Sequence, residues 1–419
     1  MIKKNQEIII SLVLVLIPII SLFTGFVLNE DLSTGGSRWD FNITWPVVID
    51  YSNFNFLDAS YESGVKPRHF PFHYMLLATT YKIFNDQNLV RIIYLFFSLL
   101  MPFFLYLNLS KIYDNKNNLV LIFSFSFLFF PFFRSSALWP NAHLTALIFF
   151  LISNFFYLKA IKQNKYFYKS LNLFFLALAT YTLQTYVILF VFYLYKYLRA
   201  ETKKNFLKLF IFCVFLGIPA LYFLALNERM LKLPITHNLF YTITNNFSII
   251  FFLLLFILFN NHNYKILLNQ FKSLKIVEIF SIILLFIIII YNLDYNLLNS
   301  NMRGGGFFYK ISHFVFDNNV IFLIFFFFGL FTIFLLIKED FNFLYILILI
   351  NIMGLNYQIY QKYFEPLFLV MVLILFKNSF SKNLIIEKKY VLSFYLLIVS
   401  YYLLALINLF NGFTFKMAA

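Results

Sequence analysis

Five short groups of residues have chemistry to offer, and the first is Gly35-Gly-Ser-Arg-Trp-Asp40-Phe-Asn-Ile-Thr-Trp-Pro46. Asp40 is a carboxylate flanked by aromatic side chains that can limit the water around it. A carboxylate held in this way can take a proton from a hydroxyl as general base, a role worth about 10²–10⁴ in rate. The competing reading is a solvated loop acid. Glu30 and Asp31 stand just upstream, at the mouth of the first apolar run, and read as markers of a membrane boundary.

The second group is Lys66-Pro-Arg68-His69-Phe-Pro-Phe-His73-Tyr74. Arg68 offers a planar fork for a phosphate, and His69 and His73 can donate beside it. His69 and His73 also have the i, i+4 spacing of metal ligands on a helix, but Pro71 lies between them and no third ligand follows, so no metal is expected. The plain alternative is anchoring at lipid headgroups.

The third group is Asn301-Met-Arg303-Gly-Gly-Gly306-Phe-Phe-Tyr309-Lys310-Ile-Ser-His313. Consecutive glycines let backbone approach a ligand closely, and Arg303, Lys310 and His313 supply donors beside them. A nucleotide P-loop is excluded, because the lysine spacing is wrong and no Ser or Thr follows it. The remaining two groups are Phe133-Arg134-Ser-Ser-Ala-Leu-Trp139-Pro-Asn141-Ala-His143 and Tyr360-Gln361-Lys362-Tyr363-Phe-Glu365-Pro366. In the second of these, Lys362 and Glu365 put a cation and an acid at a membrane interface.

The rest of the chain explains how such groups are held. Of 419 residues 62% are hydrophobic and only 12% charged. A soluble domain carries about 25% charged residues, so water is not the only solvent here. The lysines behind the net charge of +15 fall in short clusters between apolar runs. That placement reads as topology signal and contact with membrane lipids, and no nucleic-acid partner is expected. With Cys213 as the single cysteine, no disulfide forms within one chain. No cleavable signal peptide is expected, since 8–28 is long enough to span and no small-residue cleavage site follows.

A helix needs about 20 apolar residues to cross the hydrocarbon. The apolar runs are 8–28, 88–108, 117–133, 138–158, 170–183, 185–198, 206–226, 241–259, 276–293, 319–337, 341–356, 362–377 and 390–411. The expected fold is therefore all-α and polytopic, a single integral membrane domain over 1–419 with about 11–13 transmembrane helices. The stretch 170–198 is read as two short spans broken near Gln184, because merging them sets the lysine cluster at 196–208 opposite its neighbour at 159–169.

With the N-terminus cytoplasmic, the dense lysine groups all fall inside, and the five chemical groups all fall outside. The long first loop at 29–88 is then non-cytoplasmic, as is the Gly-rich basic loop at 294–318. The first loop's apolar stretches, at 54–57 and 74–84, are too short to span and suit interfacial helices.

Taken in order, these elements resemble the GT-C membrane glycosyltransferases, which use polyprenyl-phosphate sugars. The nearest likeness is to the family of the terminal α-1,2-glucosyltransferase of lipid-linked oligosaccharide synthesis. That family has an acidic pair six residues before a proline; here Asp40 stands six before Pro46, with Phe41 in the second acid's place. Its Arg-Gln-Thr-Asn element is similar to Leu183-Gln184-Thr185-Tyr186, without the arginine. Its late Asn-Arg-His-Tyr…Trp-Lys-Arg element is similar to Asn301-Met302-Arg303…Phe308-Tyr309-Lys310, and its final Arg-Tyr-Phe-x-x-Pro to Lys362-Tyr363-Phe364 followed by Pro366.

The resemblance implies an inverting transfer from a polyprenyl-phosphate-linked sugar to a glycan or lipid acceptor. It takes place on the non-cytoplasmic face of what is expected to be a bacterial inner membrane. It implies Asp40 as general base, with Arg303, Lys310, Lys362, Arg68 and His69 toward the donor phosphate. His73, Gln184, Tyr309, His313 and Tyr363 are implied around the substrate, with no metal and no cofactor beyond the donor lipid. Two other readings compete: a surface-polysaccharide polymerase or ligase, whose large outer loop usually comes later, and a non-enzymatic lipid or glycan transporter. The transporter reading calls for broken helices and ionisable groups within the bilayer.

Overall fold

The computed structural model describes residues 2–33, 36–53, 69–114, 117–226, 239–258, 261–295, 306–345, 347–348, 361–375 and 379–410, and all of their regular structure is helical. Among the described residues, seven helical stretches are long and apolar enough to cross a membrane: Gln6–Val27, Gln87–Ile112, Ala142–Gln163, Lys203–Ala225, Leu239–Leu258, Val320–Glu339 and Lys388–Leu409. Two bent pairs bring the number to nine if each is one span: Asn118–Phe129 with Pro131–Leu138, bent by 71°, and Tyr264–Lys272 with Ile276–Tyr291, bent by 105°. Composition and helices agree on a multi-pass, all-α membrane architecture.

The chain divides into two compact units, 1–233 with 402–413 and 234–401 with 414–419. In the first unit, α1 (Ile2–Val27) is followed by two shorter helices, α2 (Gly36–Asn53) and α3 (Phe72–Phe84). Neither of these reaches the length of a span. Next come α4 (Gln87–Ser98), capped by the Asp86 carboxylate, and α5 (Leu100–Ile112), which continues the same span. The pair α6 (Asn118–Ser126) and α7 (Pro131–Leu138) meets at a short 3-10 turn, where Pro131 ends one helical ladder and opens the next.

After α7 come α8 (Ala142–Gln163), α9 (Tyr166–Thr180), α10 (Ile188–Ala200) and α11 (Lys203–Leu226). The break expected near Gln184 is present: α9 ends at Thr180, and a 3-10 turn over Gln184–Val187 leads into α10. At 15 and 13 residues, α9 and α10 are close in length to the two short runs expected at 170–183 and 185–198.

What holds this bundle is polar as well as apolar. Asn108 donates to the Leu151 carbonyl (2.9 Å) and accepts from Asn154, which in turn accepts from the Tyr193 hydroxyl (2.8 Å). Asn172 exchanges hydrogen bonds with Ser153 and accepts from Tyr197 (3.0 Å). These chains tie α5, α8, α9 and α10 together where no water could serve instead.

The second unit contains α12 (Leu239–Leu258), α13 (Asn261–Lys272), α14 (Ile276–Tyr291), α15 (Gly306–Phe316), α16 (Val320–Glu339), α17 (Leu367–Leu375) and α18 (Ser379–Ile386). It also holds the first part of α19 (Lys388–Phe410), up to Tyr401. The expected run at 341–356 lies mostly outside the described residues. A core of Ile282, Ile289, Phe326 and Leu330, backed by Phe240, Ile243 and Phe247, joins α12, α14 and α16.

The close approach of α12 and α16 depends on Gly329. A Cβ there would lie 2.4 Å from the Phe247 carbonyl oxygen. Backbone cannot swing aside as a side chain can, so Gly329→Ala should destabilise the folded chain by about 1–3 kcal/mol, the usual cost of overpacking. At Gly217, on α11, a Cβ meets nothing within 4 Å, so Gly217→Ala should be neutral or slightly stabilising. Thermal unfolding of both variants in detergent checks the contrast.

Candidate functional site

The first unit gathers its charges where α1 ends. Asn29 takes a left-handed turn at φ 50°, and the Glu30 backbone N–H returns to the Gly25 carbonyl (2.9 Å). That turn drives the Glu30 carboxylate inward, where Arg134 grips it with Nε to Oε1 at 2.7 Å and Nη2 to Oε2 at 2.8 Å. The side chains are 0% and 4% exposed. Arg134 also donates to the Ser21 carbonyl (2.9 Å), and its guanidinium lies 4.3 Å from the centre of the Tyr402 ring. A Cβ on Gly25 would stand 2.7 Å from both Arg134 Nη2 and Glu30 Oε2, so the absence of a side chain on α1 makes room for the pair.

Asp31 has a different task. One carboxylate oxygen accepts the Arg38 backbone N–H (2.8 Å), and the other accepts the Ser33 N–H (3.0 Å) and hydroxyl. Ser33 Oγ in turn accepts the Ser37 N–H (2.7 Å). Together they satisfy backbone donors at the start of α2 that its own helix cannot. Glu30 and Asp31, read from sequence as boundary markers, are buried structural acids.

Trp139 joins the two halves of this cluster. Its indole N–H donates to the Glu30 carbonyl (3.0 Å), and Phe41 of α2 packs 6.0 Å from it, ring centre to ring centre. The Arg91 guanidinium lies 3.7 Å from the indole centre and that of Arg38 5.2 Å. Arg91 donates only to neutral acceptors, the Leu138 carbonyl (3.1 Å) and the Asn29 and Asn88 side chains. Among the described residues, neither Arg38 nor Arg91 makes an ion pair. Arg91 is buried, whereas Arg38 is exposed. Two guanidiniums on one indole, without a carboxylate on either, form a site that an anion would complete.

Asp40 follows on the same helix. Ser37, Phe41, Val48 and Ser52 form the buried stripe of α2, and Trp45 meets Tyr81 of α3 edge-on at 5.2 Å. Asp40 lies off this stripe and is partly exposed. Of Glu30, Asp31 and Asp40, Asp40 alone is partly exposed.

The histidines form a second layer. His69 meets His143 edge-to-face at 5.8 Å. His73, on α3, is 2% exposed; its Nδ1 lies 2.9 Å from Thr145 Oγ1, and the ring is also hydrogen-bonded to the Pro140 carbonyl. Tyr94 closes the network through the Asn141 carbonyl (2.8 Å) and Thr145. His73 therefore supports the chain between α7 and α8 from within, while His69 is partly exposed. Gln184 is partly exposed in its 3-10 turn, which the Phe72 N–H to Tyr181 carbonyl bond (3.1 Å) ties to the start of α3. Beside it, Thr185 Oγ1 and the Tyr186 hydroxyl are buried without a hydrogen-bond partner.

No family model matches the chain, and no curated protein or solved structure is significantly similar to it. The site has to be read from its own geometry.

The second unit holds the later residues. Tyr309, Lys310 and His313 are on α15, with the Tyr309 and His313 rings 4.5 Å apart. Burial holds the Lys310 ammonium below the usual lysine range and pushes the Tyr309 hydroxyl up to about 12. Gln361 accepts the Phe307 N–H (3.0 Å) and donates to Glu365 (3.0 Å) and the Tyr401 hydroxyl (2.9 Å), and that hydroxyl donates to Glu365 (3.1 Å). Lys362 lies 5.9 Å from the Tyr363 ring centre, and both are partly exposed. Arg68 and Arg303 lie outside the described residues. Among the described residues, no three His, Cys, Asp or Glu side chains are grouped to hold a metal.

Two measurements follow from the first unit. Arg134→Met leaves Glu30 buried without its cation, which costs about 3–5 kcal/mol, whereas the double variant Arg134→Met/Glu30→Gln should recover most of that loss. Denaturant unfolding in micelles separates the two. Burial, with His69 alongside, pushes the His73 imidazole down to about 3, against the Pro140 hydrogen bond. An unfolded histidine takes up its proton near pH 6.5, so the stability tied to His73 is whole above that pH. It falls by about 1.4 kcal/mol per unit as the pH drops toward 3. His73→Gln should flatten that slope in a pH series of melting temperatures.

Proposed function

We propose that this chain is a membrane glycosyltransferase of the GT-C type. It would move a sugar from a polyprenyl-phosphate-linked donor to a glycan or lipid acceptor at the non-cytoplasmic face. The observation that carries the reading is the pair Arg38 and Arg91 on Trp139, two guanidiniums without a counter-ion among the described residues, on and beside the helix that bears the partly exposed Asp40. A lipid-linked phosphate supplies the missing anion. Asp40 supplies the base that a hydroxyl acceptor needs.

In this reading Asp40 takes the proton of the acceptor hydroxyl as its oxygen attacks the anomeric carbon. The bond from that carbon to the phosphate oxygen breaks, and the polyprenyl phosphate leaves with the electron pair. One in-line displacement inverts the anomeric centre. Arg38 and Arg91 stabilise the charge growing on the leaving phosphate, with Arg68 and His69 as further donors toward it. Phe41, Trp45 and Trp139 keep water from competing as acceptor.

The transporter reading also has an observation in its favour, the 71° break that sets Arg134 inside a bent pair of apolar helices. Membranes carrying the chain, supplied with a panel of radiolabelled polyprenyl-phosphate sugars, distinguish the two. Transfer of label to an acceptor is expected, with a fall of about 10²–10⁴ in Asp40→Asn and a raised donor KM in Arg38→Gln. Undiminished transfer in Asp40→Asn would remove that residue from its role. Movement of intact lipid-linked sugar across proteoliposomes without transfer would favour the transporter.

A further inference from the structure

The second unit contains a half-open cavity of about 850 Å³ between the ends of α12, α13 and α16. Leu255 and Leu258 of α12 line it, opposite Phe331 and Leu335 of α16, and its surface is almost wholly apolar. From α13 come Tyr264, Leu267, Leu268 and Phe271, the i, i+3, i+4, i+7 positions of one helix face.

The same helix carries the charge. Lys265 and Lys272, seven residues apart and so on one flank of that face, are both exposed, and neither makes an ion pair among the described residues. Lys338 is already committed to Glu278, with both carboxylate oxygens at 2.9 Å, and Glu339 accepts from Gln270 (3.3 Å). The 105° bend between α13 and α14 lays α13 nearly at right angles to the apolar α14. An amphipathic helix in that attitude lies in the plane of the interface, its apolar face toward hydrocarbon and its lysines at headgroup level.

We infer that this cavity is a binding site for one anionic glycerophospholipid of the surrounding bilayer, an acyl chain filling the space and the phosphate resting on Lys265 and Lys272. The volume lies within the range of small-molecule pockets, about 300–1,000 Å³. The paired free cations select against a zwitterionic headgroup, which brings its own positive charge. Nothing in this assignment depends on the sugar-transfer reading, since every residue it uses belongs to α12, α13 and α16.

The test uses the full chain, purified in detergent and titrated with phosphatidylglycerol, phosphatidylcholine or a polyprenyl phosphate, with bound lipid counted by native mass spectrometry. Phosphatidylglycerol should bind at one per chain and more tightly than phosphatidylcholine. Lys265→Gln/Lys272→Gln should weaken it by about tenfold or more, the effect of about two headgroup contacts. Leu255→Trp, which fills the cavity, should weaken both glycerophospholipids alike. Equal binding of the two, indifferent to the lysine pair, would overturn the headgroup assignment. Retention of lipid by Leu255→Trp would overturn the cavity. Preferential capture of the polyprenyl phosphate would overturn the choice of lipid. The lysines are exposed, so their variant remains informative if the tryptophan variant fails to fold.

Discussion

Arg134 and Glu30 are removed from water together, and that shared burial constrains the rest of the first unit. Taking either charge into a low-dielectric interior costs several kcal/mol, which their attraction offsets only if every donor finds an acceptor. The site meets this demand with elements far apart in sequence: the Ser21 carbonyl of α1, the turn that returns Glu30 to Gly25, and the Tyr402 hydroxyl, 3.4 Å from Glu30 Oε2. Gly25 is the matching concession on α1, a position where any side chain would collide with both ions. The end of the first helix and the start of α7 are thereby locked to each other.

From that lock the functional geometry follows by short steps. Glu30 held in place presents its carbonyl to Trp139, and Trp139 so fixed becomes a platform on which Arg91 and Arg38 both rest. Asp31, next in the chain, caps α2 and sets the helix on which Arg38 and Asp40 ride. Two acids are thus consumed in building a support. The third, Asp40, is partly exposed on α2.

Much of this architecture was legible in the sequence, and the reasons for the rest are physical. Runs of apolar residues gave α1, α4 with α5, α8, α11, α12, α16 and α19 nearly at their observed limits, because span length is set by the bilayer rather than by partners. The break near Gln184 and a helix ending at Phe84 were visible too, the one from its polar residues between two apolar runs and the other from an apolar stretch too short to span. Asp40, the candidate base, was placed within the long first loop, whereas it lies on α2; that helix is polar enough on average to conceal its period, and its stripe emerges only against α3 and Trp139. The ion pair could not be read at all. Glu30 and Arg134 are 104 residues apart, and no local period encodes a partner at that distance. Arg91 passed unremarked inside an apolar run, although a charge in such a place was itself a signal. His73, grouped by spacing with His69, proves to be a neutral support beneath it.

The central claim is that a lipid-linked phosphate docks on the guanidiniums at Trp139. The most direct measurement is photocrosslinking of the purified chain with a polyprenyl phosphate bearing a photoreactive group beside the phosphate, with the labelled peptides mapped by mass spectrometry. Labelling is expected on the segments 36–45 and 134–143, displaced by unlabelled polyprenyl phosphate and lost in Arg38→Gln. Labelling confined to other segments, or unchanged by competitor and by Arg38→Gln, would contradict it.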